Sequence, residues 1–281
     1  MSDRIITFPQ YAQWITDYCK DNVEPFIRDS GKMIAYCFEL DQLLPEKYGW
    51  RFSDVESLKK QISYLKTPKE INKAYWLDQA RNIEAYSTMT FWRGLELLKP
   101  AIRSLNVHEV ITPAVLIRSL LELSCSFIIN ANTLDKTFRE IEFPDKSVVI
   151  SHELEEMVIK MIWGTRVGEP APYLKQTNIL TYIQKVSKNP SSTDVLPVYE
   201  YLCDVAHPSF IGNTRFWSHV EEIFPDGSQR RVIARFADKE CTYEIMDKIL
   251  WGMGWSAAVI RNGFEITRVA IQQLLTKIEN G

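Results

Sequence analysis

The chain has no paired-cysteine motif, no glycine-rich phosphate loop and no uninterrupted apolar run of membrane-spanning length, and each absence narrows what it can do. Its five cysteines, at positions 19, 37, 125, 203 and 241, are odd in number, and no two stand at metal-ligand spacing. That excludes a disulfide framework and points to a reducing, cytoplasmic setting. Neither Gly-x-x-x-x-Gly-Lys nor Gly-x-Gly-x-x-Gly occurs, so the usual nucleotide cradles are missing and no cofactor is expected. The four histidines are scattered, and His152-Glu153-Leu154-Glu155-Glu156 has Glu where a zinc-protease helix would have its second His. No metal is expected. The longest apolar stretch, 110–131, is interrupted by Arg118 and Glu122, and residues 1–7 contain no signal core, so no membrane association is expected. Excess positive charge is also lacking. A net charge of -3 argues against a chain coated by nucleic acid, though it leaves room for a local basic patch.

What is present is helical periodicity with frequent caps. Pro9 can open a first helix carrying Tyr11, Trp14, Ile15 and Tyr18. A second runs from Pro25 toward Leu44, with Pro45 closing it. Ser53-Asp54-Val55-Glu56 and Thr67-Pro68-Lys69-Glu70 both read as capping boxes. The second opens a long helix that reaches about Lys99, where Pro100 ends or kinks it. Thr112-Pro113 starts the most apolar helix, over 113–132, and Ser151 caps another through Trp163. Helices follow at about 177–187 and 193–206, the latter stopped at His207-Pro208, and a last one runs over 242–278. Pro225-Asp226-Gly227-Ser228 between two β-capable runs predicts a hairpin. The fold expected is therefore all-α for the most part: an irregular multi-helix bundle with one small β-hairpin insertion near 214–236. Residues 1–281 read as a single helical domain, with 1–66 as an N-terminal helical layer. Long helices need partners for their apolar stripes, so a homodimer is expected.

Several polar groups stand in apolar surroundings. Arg118 and Glu122 share one face of the apolar helix over 113–132, either as an internal pair that fixes packing or as part of a site. Arg93 with Glu96, and Arg261 with Glu265, repeat the pattern. The three pairs either meet in one polar, ligand-binding layer or mark the charged edges of three amphipathic helices. Asp204 and His207 lie three apart at a helix end, which favours a protonated imidazole; His207 either acts as a general acid or base or ties the last carbonyls to the loop. Trp251-Gly252-Met253-Gly254-Trp255 permits close helix packing. Arg230, Arg231 and Arg235, with Arg215 before the turn, could hold phosphate or simply charge a solvated hairpin edge.

At Leu116-Ile117-Arg118-Ser119-Leu120-Leu121-Glu122 and at Ala206-His207-Pro208-Ser209 the chain resembles a loose group of uncharacterised bacterial helical proteins. Some of these are placed near the HEPN-like folds, and the resemblance covers residues 70–270. HEPN proteins include metal-independent ribonucleases of toxin and phage-defence systems, and they resemble one another in an Arg, a short spacer and a His. Arg103-Ser104-Leu105-Asn106-Val107-His108 meets that spacing. It departs from the pattern in Ser104 and in the place of His108, in the turn before the next helix. The resemblance implies a setting in bacterial stress or phage defence. Two functions are then expected. One is a cytoplasmic binding or interaction protein in which Arg118, Glu122, Asp204 and His207 form an internal cluster, with a protein partner. The other is an endoribonuclease in which His207 or His108 is the acid/base, Arg118 or Arg103 steadies the phosphorane charge, and RNA is the partner.

Overall fold

A computed structural model describes residues 8–215, 217–234 and 239–280. It is mostly helical: α1 (Gln13–Lys20), α2 (Pro25–Arg28), α3 (Ser30–Gln42), α4 (Val55–Ile62), α5 (Pro68–Asn106), α6 (Ile111–Glu140), α7 (His152–Trp163), α8 (Ile179–Val186), α9 (Val195–Ala206) and α10 (Lys239–Asn280). Among the described residues the one sheet is the antiparallel hairpin of β1 (Ser218–Ile223) and β2 (Gln229–Ile233), with a register shift between Val220 and Glu222. Gly227 takes a φ of 81° in its turn, a conformation that favours glycine, and Asp226 Oδ1 accepts from the Ser228 amide.

Local chemistry accounts for most boundaries. Glu70 accepts from the Thr67 amide at 3.1 Å while Thr67 Oγ1 accepts from the Glu70 amide at 3.3 Å, so the reciprocal cap expected there opens α5. Ser151 caps α7 by accepting from the Leu154 amide. Four expectations need correction. The cap of α4 is Asp54, which accepts from Ser57 N, not Ser53. Pro9 does not open α1, whose start waits for Gln13; Asn106 holds the preceding segment extended, accepting from Ala12 N and donating to Gln10 O, both at 2.8 Å. Pro100 does not end α5. The flanking Leu98, Ala101, Ile102 and Leu105 are all buried, and that packing carries the helix six residues further. α6 also continues beyond Asn132 to Glu140, since Leu134 and Phe138 are fully buried. By length and composition alone α6 could cross a membrane, yet Ile117, Leu120, Leu121, Cys125 and Phe127 are fully buried within the protein.

The chain forms two compact units that interleave along the sequence. Unit 1 comprises Met1–Gln42, Arg93–Cys125 and Tyr182–Val259; unit 2 comprises Leu43–Trp92, Ser126–Thr181 and Ile260–Gly281. In unit 1 the two helical glycines of α10 let neighbours approach. A Cβ on Gly254 would lie 2.1 Å from the Phe26 carbonyl oxygen, and one on Gly252 would lie 2.5 Å from Ile117 Cγ2. In unit 2 a core of Tyr75, Trp76, Ile83, Leu134, Phe138 and Leu274 is tied to the segment after α6 by side-chain bonds from α5. Asn72 donates to Ser147 O and accepts from Val149 N, and Trp76 Nε1 donates to Val149 O. The end of α6 is closed by Lys277, whose Nζ donates to the carbonyls of Phe138, Arg139 and Ile141 at 3.1, 2.7 and 2.9 Å.

Candidate functional site

Among the described residues one polar cluster lies on α6 and α9 and another on α5. In unit 1, Arg118 and Glu122 lie 3.5 Å apart on α6, with side chains 28% and 29% exposed. Their further partners come from α9. Arg118 Nε donates to Cys203 Sγ at 3.1 Å, and its guanidinium lies 5.7 Å from the Tyr199 ring centre. Tyr199 OH donates to Glu122 Oε1 at 2.9 Å. Tyr199 and Cys203 are one turn apart, so one face of α9 answers one face of α6. Burial and the Glu122 carboxylate push the Tyr199 phenol well above its ordinary range, which keeps it a neutral donor. Burial pushes the Cys125 thiol, three residues after Glu122, up to about 12, so it packs as a hydrophobe.

Asp204 and His207 are not part of this group. Both are exposed, and neither side chain makes a hydrogen bond or ion pair to Arg118 or Glu122 among the described residues. Asp204 lies about 100° round the α9 axis from Cys203. His207 leaves the helix with extended geometry (φ -100°, ψ 157°). The carbonyl of Asp204 is served by Ser209 Oγ, and a π-helical turn over Phe210–Arg215 follows. At 93/96 and 261/265 the arginines lie on charged helix edges. Glu96 pairs with Lys99 and Glu265 with Arg268, while Arg93 and Arg261 are exposed. Arg103 is exposed in the last turn of α5. His108 adopts a φ of 64° beyond that helix end and stacks on Trp14 with ring centres 4.3 Å apart. On the hairpin, Arg230 is matched by Glu221 and Glu222, and Arg231 donates to Ser218 and Gln229. Arg215 pairs with Glu244, and Arg235 lies outside the described residues. The hairpin cations described are therefore answered by their own neighbours.

The second polar group, in unit 2, was not anticipated. Tyr75, Asp78, Gln79 and Asn82 stand at i, i+3, i+4 and i+7 on α5, a spacing that places them on one face. They line a cavity of about 350 Å³ whose other walls are largely aliphatic, from Leu58 and Ile62 of α4 and Val158, Ile159 and Ile162 of α7, with Ser53 and Glu155 among them. Phe52, Lys59, Ile150 and His152 also line it and are exposed, so the chamber meets solvent on their side. Beyond Phe52, that ring and those of Trp50 and Trp163 pack within 6.0 Å of one another. Trp50 Nε1 donates to Asn82 Oδ1 at 2.9 Å, and Asn82 Nδ2 donates to Asp78 Oδ2 at 3.1 Å. Burial pushes the Asp78 carboxyl above its ordinary range, against the pull of Ser53, Asn82, Arg81 and Arg51. Gln79 is only 5% exposed, and its Oε1 has no hydrogen-bond partner. A buried acceptor left unanswered costs about 1–3 kcal/mol, so a helix face that tolerates one is a candidate site.

Unit 1 holds a larger cavity, of about 690 Å³, lined by residues of α1 and α3 and by the segment from Phe8. Arg28 and Lys32 both bind Asp29 there, Tyr11 OH contacts Met253 Sδ, and among the described residues no buried side-chain atom of its lining lacks a partner. Volume alone therefore does not single it out. The signal for the unit 2 site was in the sequence, as four polar residues at helical spacing beside Trp76, Ala80 and Ile83. A search for charged pairs passes over it, because three of the four are neutral. Comparison with protein-family models, with curated proteins and with solved structures gives no match for this chain.

Proposed function

We propose that this chain is a helical binding protein whose ligand is a small molecule seated in the unit 2 cavity. The observation that carries the reading is the pair of buried acceptors on one cavity lining, the unpartnered Gln79 Oε1 and the Asp78 carboxyl, in a largely apolar chamber. A largely apolar pocket with a few converging polar atoms is the usual form of a small-molecule site. On this reading the Arg118–Glu122–Tyr199–Cys203 group orders unit 1 and is not itself the ligand site. Cys19, Cys125 and Cys203 form no disulfide, which supports a reducing, cytoplasmic setting. The resemblance to the HEPN-like group supplies the biological setting, bacterial stress or phage defence.

The size of the chamber sets the test. An apolar cavity of roughly 150 Å³ admits benzene, so 350 Å³ suits a body of about two fused rings. Equilibrium dialysis of the full chain against naphthylmethanol should show saturable binding at one site. Val158→Phe, which fills the wall, should remain folded by circular dichroism and lose that binding. Absence of saturable binding by the wild-type chain, or equal binding by the filled variant, would remove this cavity as the ligand site.

A further inference from the structure

We infer that the ligand of the unit 2 cavity is a primary amine on an apolar body, its ammonium held by Gln79 Oε1 and the Asp78 carboxyl. This rests on the reading of the cavity as the binding site. The head group follows from counting donors and acceptors. Gln79 Oε1 can only accept, and it is unanswered. The Asp78 carboxylate can only accept, and from the protein it takes an amide hydrogen of Asn82 and the Ser53 side chain. Glu155, a third acceptor-only group, also lines the chamber.

The cationic groups on the lining, Lys59 and His152, are exposed and each turns to a carboxylate. Lys59 pairs with Glu56 at 3.1 Å, and His152 Nδ1 lies 2.9 Å from Glu155 Oε2. A ligand hydroxyl would set one donor against these acceptors where an ammonium sets three. A ligand carboxylate would set a third anion beside Asp78 and Glu155. An ammonium, with three donors and no acceptor, is the head group whose needs match the chamber. The body follows from the walls: Leu58, Ile62, Val158, Ile159 and Ile162 offer dispersion contacts and nothing polar. The adjoining Trp50, Phe52 and Trp163 rings add faces that attract a cation on its way in.

The test compares naphthylmethylamine, naphthylmethanol and naphthoic acid, which share one body, by equilibrium dialysis against the full chain. The amine should bind about tenfold tighter than the alcohol, the factor expected of a charge-assisted bond, and the acid should bind weakest. In Asp78→Asn the advantage of the amine over the alcohol should shrink about tenfold while the affinity for the alcohol holds. Gln79→Met, which removes the second acceptor, should reduce the same advantage and serves alone if Asp78→Asn does not fold. If the alcohol or the acid binds as tightly as the amine, the amine inference is overturned and the cavity keeps its standing as a site. If none of the three binds, the cavity reading falls with it.

Discussion

The polar groups of the two units differ in how they close. In unit 1 each charged partner is answered: Arg118 by Glu122, Cys203 and the Tyr199 face, and Glu122 by Tyr199. In unit 2 the chain of bonds from Trp50 through Asn82 ends at Asp78, and Gln79 Oε1 beside it is left open. Both groups stand among apolar residues on long helices. The closed group is a stability device, and its loss should unfold. The open group is a cost the fold bears, and its loss should stabilise. Completeness of hydrogen bonding, and not charge, is what separates the two groups, and the proposed site rests on that difference.

The comparison breaks most readily at Arg118. Arg118→Ala leaves Glu122 without its cation in a half-buried place and should lower unfolding free energy by about 2 kcal/mol in urea titrations, between the values for exposed and buried pairs. Arg118→Met combined with Glu122→Leu should recover at least half of that loss. A double variant no more stable than the single one would mean that the group does more than satisfy itself.

The next effect has the opposite sign. Gln79→Met keeps much of the shape and removes the unanswered acceptor, so it should raise stability by about 1 kcal/mol in the same titrations. Destabilisation would mean that Gln79 has a partner it needs.

A pH series sharpens the contrast further. Burial holds the Asp78 carboxyl above its unfolded value, so on raising the pH the unfolded chain gives up this proton first. The contribution of Asp78 is fully present below about pH 4, the unfolded value, and is lost as pH rises through the folded value. The melting temperature of Asp78→Asn relative to wild type should accordingly climb as pH rises from about 4 toward neutrality. A constant difference across that range would remove Asp78 as the titrating group. The smallest effect belongs to His207→Ala, an exposed change that should shift stability by no more than about 0.5 kcal/mol.

Sequence read the fold where local chemistry decides it. The reciprocal cap at Thr67 and Glu70, the cap at Ser151, the stop at His207-Pro208 and the hairpin around Gly227 each follow from residues within one or two turns. The glycines at 252 and 254 signalled close approach, and the approach is there. It misled where a distant partner overrides the local rule. Pro100 stays helical because buried neighbours hold it, and α1 starts late because Asn106, more than ninety positions away, engages Gln10 and Ala12. The site obeyed the same division. Arg118 and Glu122 could be paired by their spacing on one helix, but Tyr199 and Cys203 come from α9 and could not be selected over Asp204 and His207. The unit 2 face was visible as a stripe at 75, 78, 79 and 82; its cavity depends on α4 and α7, whose approach no local rule states.

Lys277 has a consequence for synthesis. The carbonyls it closes, at Phe138, Arg139 and Ile141, precede it by 136 to 139 positions. At roughly 5–20 residues per second, the ribosome needs on the order of ten seconds to reach it after making the end of α6. Through that interval the last turn of α6 has only water to meet those oxygens. The nascent chain must therefore wait for one lysine 136 to 139 positions downstream before the end of α6 is closed.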